Sequence, residues 1–147
     1  MKLNSSFVLE APREDVWEIF MDAEKLAGCL PGCENINALS ETEYEADMVV
    51  KVQFMTIKFK ANGSIKNPKP YEQFDVEMTG KPIALAGQFR NQMVVELVSL
   101  SETSTEVKYQ MDMQMSGRLA SLGEIIMKST VTKNANEFAK NAQLLFV

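Results

Sequence analysis

The sequence predicts an α+β fold: a curved antiparallel sheet of about seven strands wrapped around a long C-terminal helix, with two short helices after the first strand. Three observations predict it. Apolar and polar residues alternate with period two from Ile36 to Met115, the mark of half-buried strands with one wet and one dry face. Helical spacing appears in a short stretch before that region and again over the last part of the chain. A single sheet with one dry face must be covered, and the C-terminal helix is the element long enough to do it.

Leu3, Phe7 and Leu9 share one face of the opening strand. Pro12 stands where a helix places its first residue, with Glu14 and Asp15 at the positive end of its dipole. Val16, Ile19 and Phe20 form an i, i+3, i+4 stripe, with Trp17 and Met21 beside it. Asp22 caps a second short helix carrying Ala23, Leu26 and Leu30, and Pro31-Gly32 ends it.

Tyr44, Ala46, Met48, Val50, Val52 and Phe54 then share an inner face. Ile57, Phe59, Ala61, Gly63 and Ile65 alternate against Lys58, Lys60, Asn62, Ser64 and Lys66. Asn67-Pro68-Lys69-Pro70 reads as a turn. Phe74, Val76 and Met78 form the next inner face, and Leu85, Gly87, Phe89, Asn91, Met93, Val95 and Leu97 the one after it. Beyond the polar turn at 101–104 come Val107, Tyr109, Met111, Met113 and Met115.

The last segment carries two stripes. Leu119, Leu122, Ile126 and Thr130 lie on one; Val131, Ala135, Phe138, Ala142 and Leu145 lie on another. The shift falls at Ser129-Thr130-Val131-Thr132, weak helix formers, so one long helix whose buried face changes partway is expected. Either Ser116-Gly117 opens it, or Ser121 caps it with Glu124 completing a capping box.

Composition bounds the chemistry. The 147 residues make one domain, 1–147, with 46% hydrophobic and 24% charged residues. The net charge is −5, which disfavours nucleic acid as a partner. With no histidine, Ser-His-Asp and Cys-His nucleophilic sites and His-ligated zinc or haem are excluded. Two cysteines fit a reducing, cytoplasmic setting and supply too few ligands for a metal. No apolar run is long enough to span a membrane as a helix.

The excess is methionine, ten residues. Met48, Met78, Met93, Met111 and Met113 fall on the inner faces, with Tyr44, Phe59, Phe74, Phe89 and Tyr109. Such alternation usually packs a plain core; methionine is also what lines surfaces that accept variable apolar shapes. No inward Asp, Glu, Lys or Arg is evident to serve as acid or base, so no catalytic residue is assigned. Asn91 and the tyrosines can orient a carbonyl or hydroxyl, or be satisfied polar groups at strand ends. Outward Lys51, Lys58, Lys60, Lys66 and Lys69 collect on one hairpin. If Met55-Thr56 is a two-residue turn, Lys51 lies opposite Lys60, a repulsive pair. A patch for anionic headgroups or an acidic partner would explain it, and a solvated edge with gatekeeper lysines, the expected reading, explains it as well.

The pattern Phe7…Ala11-Pro12-Arg13-Glu14-Asp15-Val16-Trp17, then Leu26-Ala27-Gly28-Cys29-Leu30-Pro31-Gly32-Cys33, resembles the carbon monoxide dehydrogenase G-subunit family of the START-like helix-grip (SRPBCC) superfamily. Ser116-Gly117-Arg118-Leu119-Ala120-Ser121-Leu122-Gly123 is similar to that family's start of the last helix, and Ala139–Phe146 to its end. The sequence departs from it at Phe54-Met55-Thr56, where Gly-Pro is usual, and keeps only Gly80 and Gly87 of a Gly-rich stretch. The resemblance implies a space between sheet and helix and a non-catalytic protein that binds a lipid or isoprenoid quinone. It also implies service to a molybdenum hydroxylase-type dehydrogenase and peripheral contact with the inner face of the membrane. The expected walls are Tyr44, Met48, Phe59, Phe74, Met78, Phe89, Asn91, Met93, Tyr109, Met111 and Met113, with Leu119, Leu122 and Ile126 from the helix. Leu30, Pro31 and Gly32 are expected at the mouth, no cofactor is held tightly, and the void should be on the order of 300–1,000 Å³. The alternatives are an assembly or recruitment factor acting through its surface, and a cyclase- or lyase-like enzyme.

Overall fold

A computed structural model of the chain describes residues 1–52 and 55–146, with side chains for all of these except 124–126. Strand β1 (Lys2–Leu9) leads to helices α1 (Arg13–Phe20) and α2 (Ala23–Gly28). Strands β2 (Cys33–Ala38), β3 (Glu43–Val52), β4 (Met55–Lys69), β5 (Gln73–Pro82), β6 (Phe89–Ser101) and β7 (Ser104–Met115) follow. A one-turn helix α3 (Gly117–Ala120) and the long α4 (Glu124–Leu144) complete the chain. All seven strands form one sheet in the order β1-β7-β6-β5-β4-β3-β2, every neighbouring pair antiparallel.

The sheet curls around α4, which touches both β1 at one edge and β3 beside the other. Seven flat strands spaced about 4.8 Å apart would span about 29 Å, far wider than a helix. Contact with both sides therefore requires curvature, which strand twist supplies.

Local details refine the sequence reading. Pro12 is the N-cap of α1, one position earlier than expected, with extended backbone (φ −61°, ψ 148°). Asp22 caps α2 as expected, accepting from the Lys25 amide at 3.2 Å. That helix already ends at Gly28, and Pro31-Gly32 turns the chain into β2. Gly32 has φ +75°, and a Cβ there would lie 2.1 Å from the Val49 carbonyl oxygen, so only glycine fits against β3.

Four expectations fail. β4 runs on through Asn67-Pro68-Lys69, with a register shift after Lys66, and the turn lies at 70–72. Leu85 and Gly87 precede β6 in a bent segment instead of extending its inner face. Val52 pairs with Met55, so Met55-Thr56 is not the turn; the connecting 53–54, with Phe54, lie outside the described residues. Lys60 accordingly faces Asp47 and pairs with it, and Lys51 faces Thr56.

The last helix is not continuous. Ser116 holds the N-cap position of α3, Gly123 (φ +92°) separates α3 from α4, and neither helix has a side-chain capping bond among the described residues. The capping box does not form: the Ser121 hydroxyl donates back to the Arg118 carbonyl at 2.6 Å. Competition from that local bond stops the first turn.

Candidate functional site: an apolar cavity under the sheet

Between the inner face of the sheet and α4 lies a cavity of about 170 Å³. That is smaller than expected; it holds on the order of ten water-sized groups, at the 10–15 Å³ one water needs. Longer ligands require the wall to move.

The wall is built in rows across β5, β6 and β7. Phe74, Val95 and Tyr109 pair in one row, Val76, Met93 and Met111 in the next, and Met78, Asn91 and Met113 in a third. Phe89 begins the far end, and Gly80 opposite leaves room for its ring: a Cβ there would sit 2.2 Å from the Phe89 ring. Tyr44, Met48, Val50 and Val52 of β3 and Phe59 of β4 complete the sheet side. Gly63 makes room for the Tyr44 ring in the same way, at 2.3 Å. Phe7, Phe20, Leu26 and Leu30 close the α1–α2 end, and Met127, Thr130, Val131, Asn134, Ala135 and Phe138 present the helix.

The structure thus brings every sheet residue named from the sequence to one cavity, together with Leu30. Half-buried Pro31 and exposed Gly32 are not in its wall. Leu119 and Leu122 are not in it either: Leu119 is fully buried in a cluster with Phe59, Phe89 and Met127, and Leu122 packs on that cluster. The Ile126 side chain lies outside the described residues. The break at Gly123 is the reason. It detaches Leu119 and Leu122 from the long helix, so the cavity is faced chiefly by the second stripe, Val131, Ala135 and Phe138, with Thr130 of the first. Those three were visible as a stripe in the sequence. Nothing local signalled Met127 or Asn134.

The wall is almost wholly apolar, with no Asp, Glu, Lys or Arg among the described residues that line it. Burial pushes the Tyr44 phenol well above its ordinary pKa, and its hydroxyl donates to the Met78 sulfur at 3.5 Å. It is therefore no base at neutral pH. Inward Thr105 is a satisfied strand-end group, donating to the Ala11 carbonyl at 2.8 Å. Asn91 is different. It sits within β6, is 3% exposed, and its Oδ1 has no hydrogen-bond partner among the described residues.

Cys29 and Cys33 are free thiols beside Leu30. Burial pushes each up to about 11, aided at Cys33 by the Asp47 and Glu34 carboxylates, so both are protonated and unreactive at neutral pH. Among the described residues no three Cys, Asp or Glu side chains gather as a metal site. No helix among them is long and apolar enough to cross a membrane.

The family model for CoxG, the G subunit of carbon monoxide dehydrogenase, matches residues 6–144. No curated protein matches the sequence. Among solved structures, a conserved protein from Geobacillus kaustophilus is similar at 22% identity, covering 97% of this chain and 93% of that one, with a TM-score of 0.87. A START superfamily protein from Mycobacterium smegmatis is 14% identical over 97% of this chain and 94% of its own, TM-score 0.72. The ZhuI aromatase/cyclase from Streptomyces sp. R1128 is 13% identical over 97% and 91%, TM-score 0.68. At these identities the likenesses establish the START-like helix-grip fold.

Proposed function

The chain belongs to the CoxG family, that of the carbon monoxide dehydrogenase G subunit, and from that premise we propose that it binds a hydrophobic small molecule, a lipid or isoprenoid quinone, without chemically altering it. The observation that carries this reading is the apolar cavity between sheet and α4, walled by methionines and aromatic rings with one unsatisfied amide. Apolar burial supplies affinity at roughly 0.8 kcal/mol per CH₂. The thioether side chains reshape around a ligand at low cost. The absence of Asp, Glu, Lys and Arg from the described wall supports carriage over turnover, since acid–base chemistry needs a group able to exchange a proton near neutral pH within reach of the substrate.

The partner in this reading is a dehydrogenase, as the family's name suggests, of the molybdenum hydroxylase type that the sequence resemblance implies, with the protein working at the cytoplasmic face of the membrane. Exposed Met55 and Ile83 support a peripheral contact there. They stand beside Lys51 and Lys58, and the Ile83 amide donates to the Lys58 carbonyl at 2.9 Å. Native mass spectrometry of the protein after mild extraction tests the reading. A lipid-sized mass that leaves on gentle activation is the expected result. A bare chain that also fails to take up added quinone or lipid would favour the surface-acting assembly factor.

A further inference from the structure

We propose that Asn91 is the polar anchor of the cavity and selects apolar molecules that carry a hydroxyl over those whose only polar group is a carbonyl or ether. The inference rests on the cavity being a binding site. Asn91 lies in the wall with its Oδ1 buried and without a donor. Its neighbours cannot supply one. The residues paired with it across the sheet are Met78 and Met113, whose thioethers only accept. The nearby Tyr44 hydroxyl is engaged by the Met78 sulfur. The backbone amides around Asn91 belong to a sheet ladder that continues on both sides of β6.

A buried acceptor without a donor destabilises the empty protein. The other wall positions of β6 are Phe89, Met93 and Val95, so an apolar side chain fits this face of the strand. The donor that satisfies Asn91 is therefore the ligand's. A hydroxyl seated beside it, with Met78 or Met113 shifting to admit it, donates to Oδ1; a carbonyl or an ether can only accept from the Asn91 amide NH2 and leaves Oδ1 unpaired. Of a quinone–quinol couple, the site therefore favours the quinol.

The test is a titration of the full chain with four probes matched to a cavity of about 170 Å³: 1-naphthol, 1-methoxynaphthalene, 1,4-naphthoquinone and naphthalene. Naphthol should bind roughly tenfold or more tighter than the other three, as one satisfied buried acceptor predicts. Asn91→Leu and Asn91→Val should bring the four to within about twofold of one another while raising the melting temperature of the ligand-free protein. Equal affinities on the parent chain, or tighter binding of the ether or the quinone, overturn the Asn91 inference and leave the cavity reading intact. Failure of all four to bind overturns both. The comparison on the parent chain needs no variant, so poor folding of either substitution does not protect the proposal.

Discussion

The two ends of the cavity are closed by different means. At the α1–α2 end, aromatic rings lock together: Trp17 against Phe74 (5.8 Å between centroids), Phe20 against Phe74 (6.2 Å) and Phe138 (6.1 Å), Phe7 against Phe138 (6.2 Å) and Tyr109 (6.3 Å). Rings have few rotamers and prefer tilted or edge-to-face contacts, so this end has little freedom to reshape. At the β3–β4 end the one ring pair among the described residues, Phe59 and Phe89 at 5.3 Å, sits among Met48, Met127, Val52 and Leu119. The helix is broken there at Gly123, and the bent 83–88 segment leans on α3 through the Arg118 amide and Ala86 carbonyl, 2.9 Å apart. One end is a fixed stop and the other a compliant closure, so a ligand longer than the empty cavity is expected to extend toward the β3–β4 end.

The largest expected effect is on stability. Phe74 is 1% exposed and touches both Trp17 and Phe20, so Phe74→Ala should cost about 3–5 kcal/mol in chemical denaturation. Met127→Ala at the compliant end should cost about 2 kcal/mol, the low end for such truncations, because flexible neighbours collapse into the gap. Equal costs at the two positions would abolish the distinction.

The next effect is on binding. Met111→Glu places a carboxylate in the apolar wall, at a cost of several kcal/mol unless it is neutralised. Naphthol or quinone affinity should fall at least a hundredfold at pH 8 and partly recover at pH 5, where the carboxyl takes up a proton. A variant folded by circular dichroism that binds as well as the parent would place the ligand elsewhere.

What the sequence revealed and what it hid follow the same division. Period-two alternation put the sheet wall, from Tyr44 to Met113, on one face, because burial on a pleated strand leaves no other pattern. Strand pairing was less legible. Lys60 faces Asp47 and not Lys51 because Val52 pairs with Met55, and no Gly or Asn in this stretch of the sequence marks where the register is set. The helix break was hidden for a related reason. Leu119, Leu122 and Ile126 continue a helical stripe in one dimension, while the backbone at Gly123 (φ +92°) changes what that stripe faces. The orphaned Asn91 oxygen could not be read at all, since satisfaction depends on which residues β5 and β7 bring alongside.

The thiols beside Leu30 give a smaller, pH-dependent effect. Their folded pKa, about 11, lies above the ordinary 9.0, so folding favours the protonated form. This stabilisation is complete below pH 9 and is lost as the pH rises toward 11, where the unfolded chain ionises first. Denaturation midpoints should fall across that window and fall less in Cys29→Ala. A profile flat from pH 8 to 11 would mean that both thiols are solvated.

The smallest effect, and the one that separates the cavity from the surface above it, concerns Lys58. Its side chain is on the outer face of β4, between inward Ile57 and Phe59, and among the described residues it makes no ion pair. Lys60 and Lys66 are engaged by Asp47 and Glu77, whose carboxyls those lysines hold below their usual range. Lys58 is therefore available to a headgroup in a way Lys60 and Lys66 are not. Each basic residue near an anionic bilayer contributes about 1 kcal/mol, so Lys58→Glu should weaken sedimentation with phosphatidylserine vesicles at least fivefold at low salt. High salt should erase the difference, as screening requires. Naphthol affinity should not change, because the side chain points away from the cavity wall. Vesicle binding unaffected by the charge reversal would make the lysine hairpin a solvated edge that resists strand pairing, and the compliant end of the cavity would then take its ligand from solution or from a protein partner.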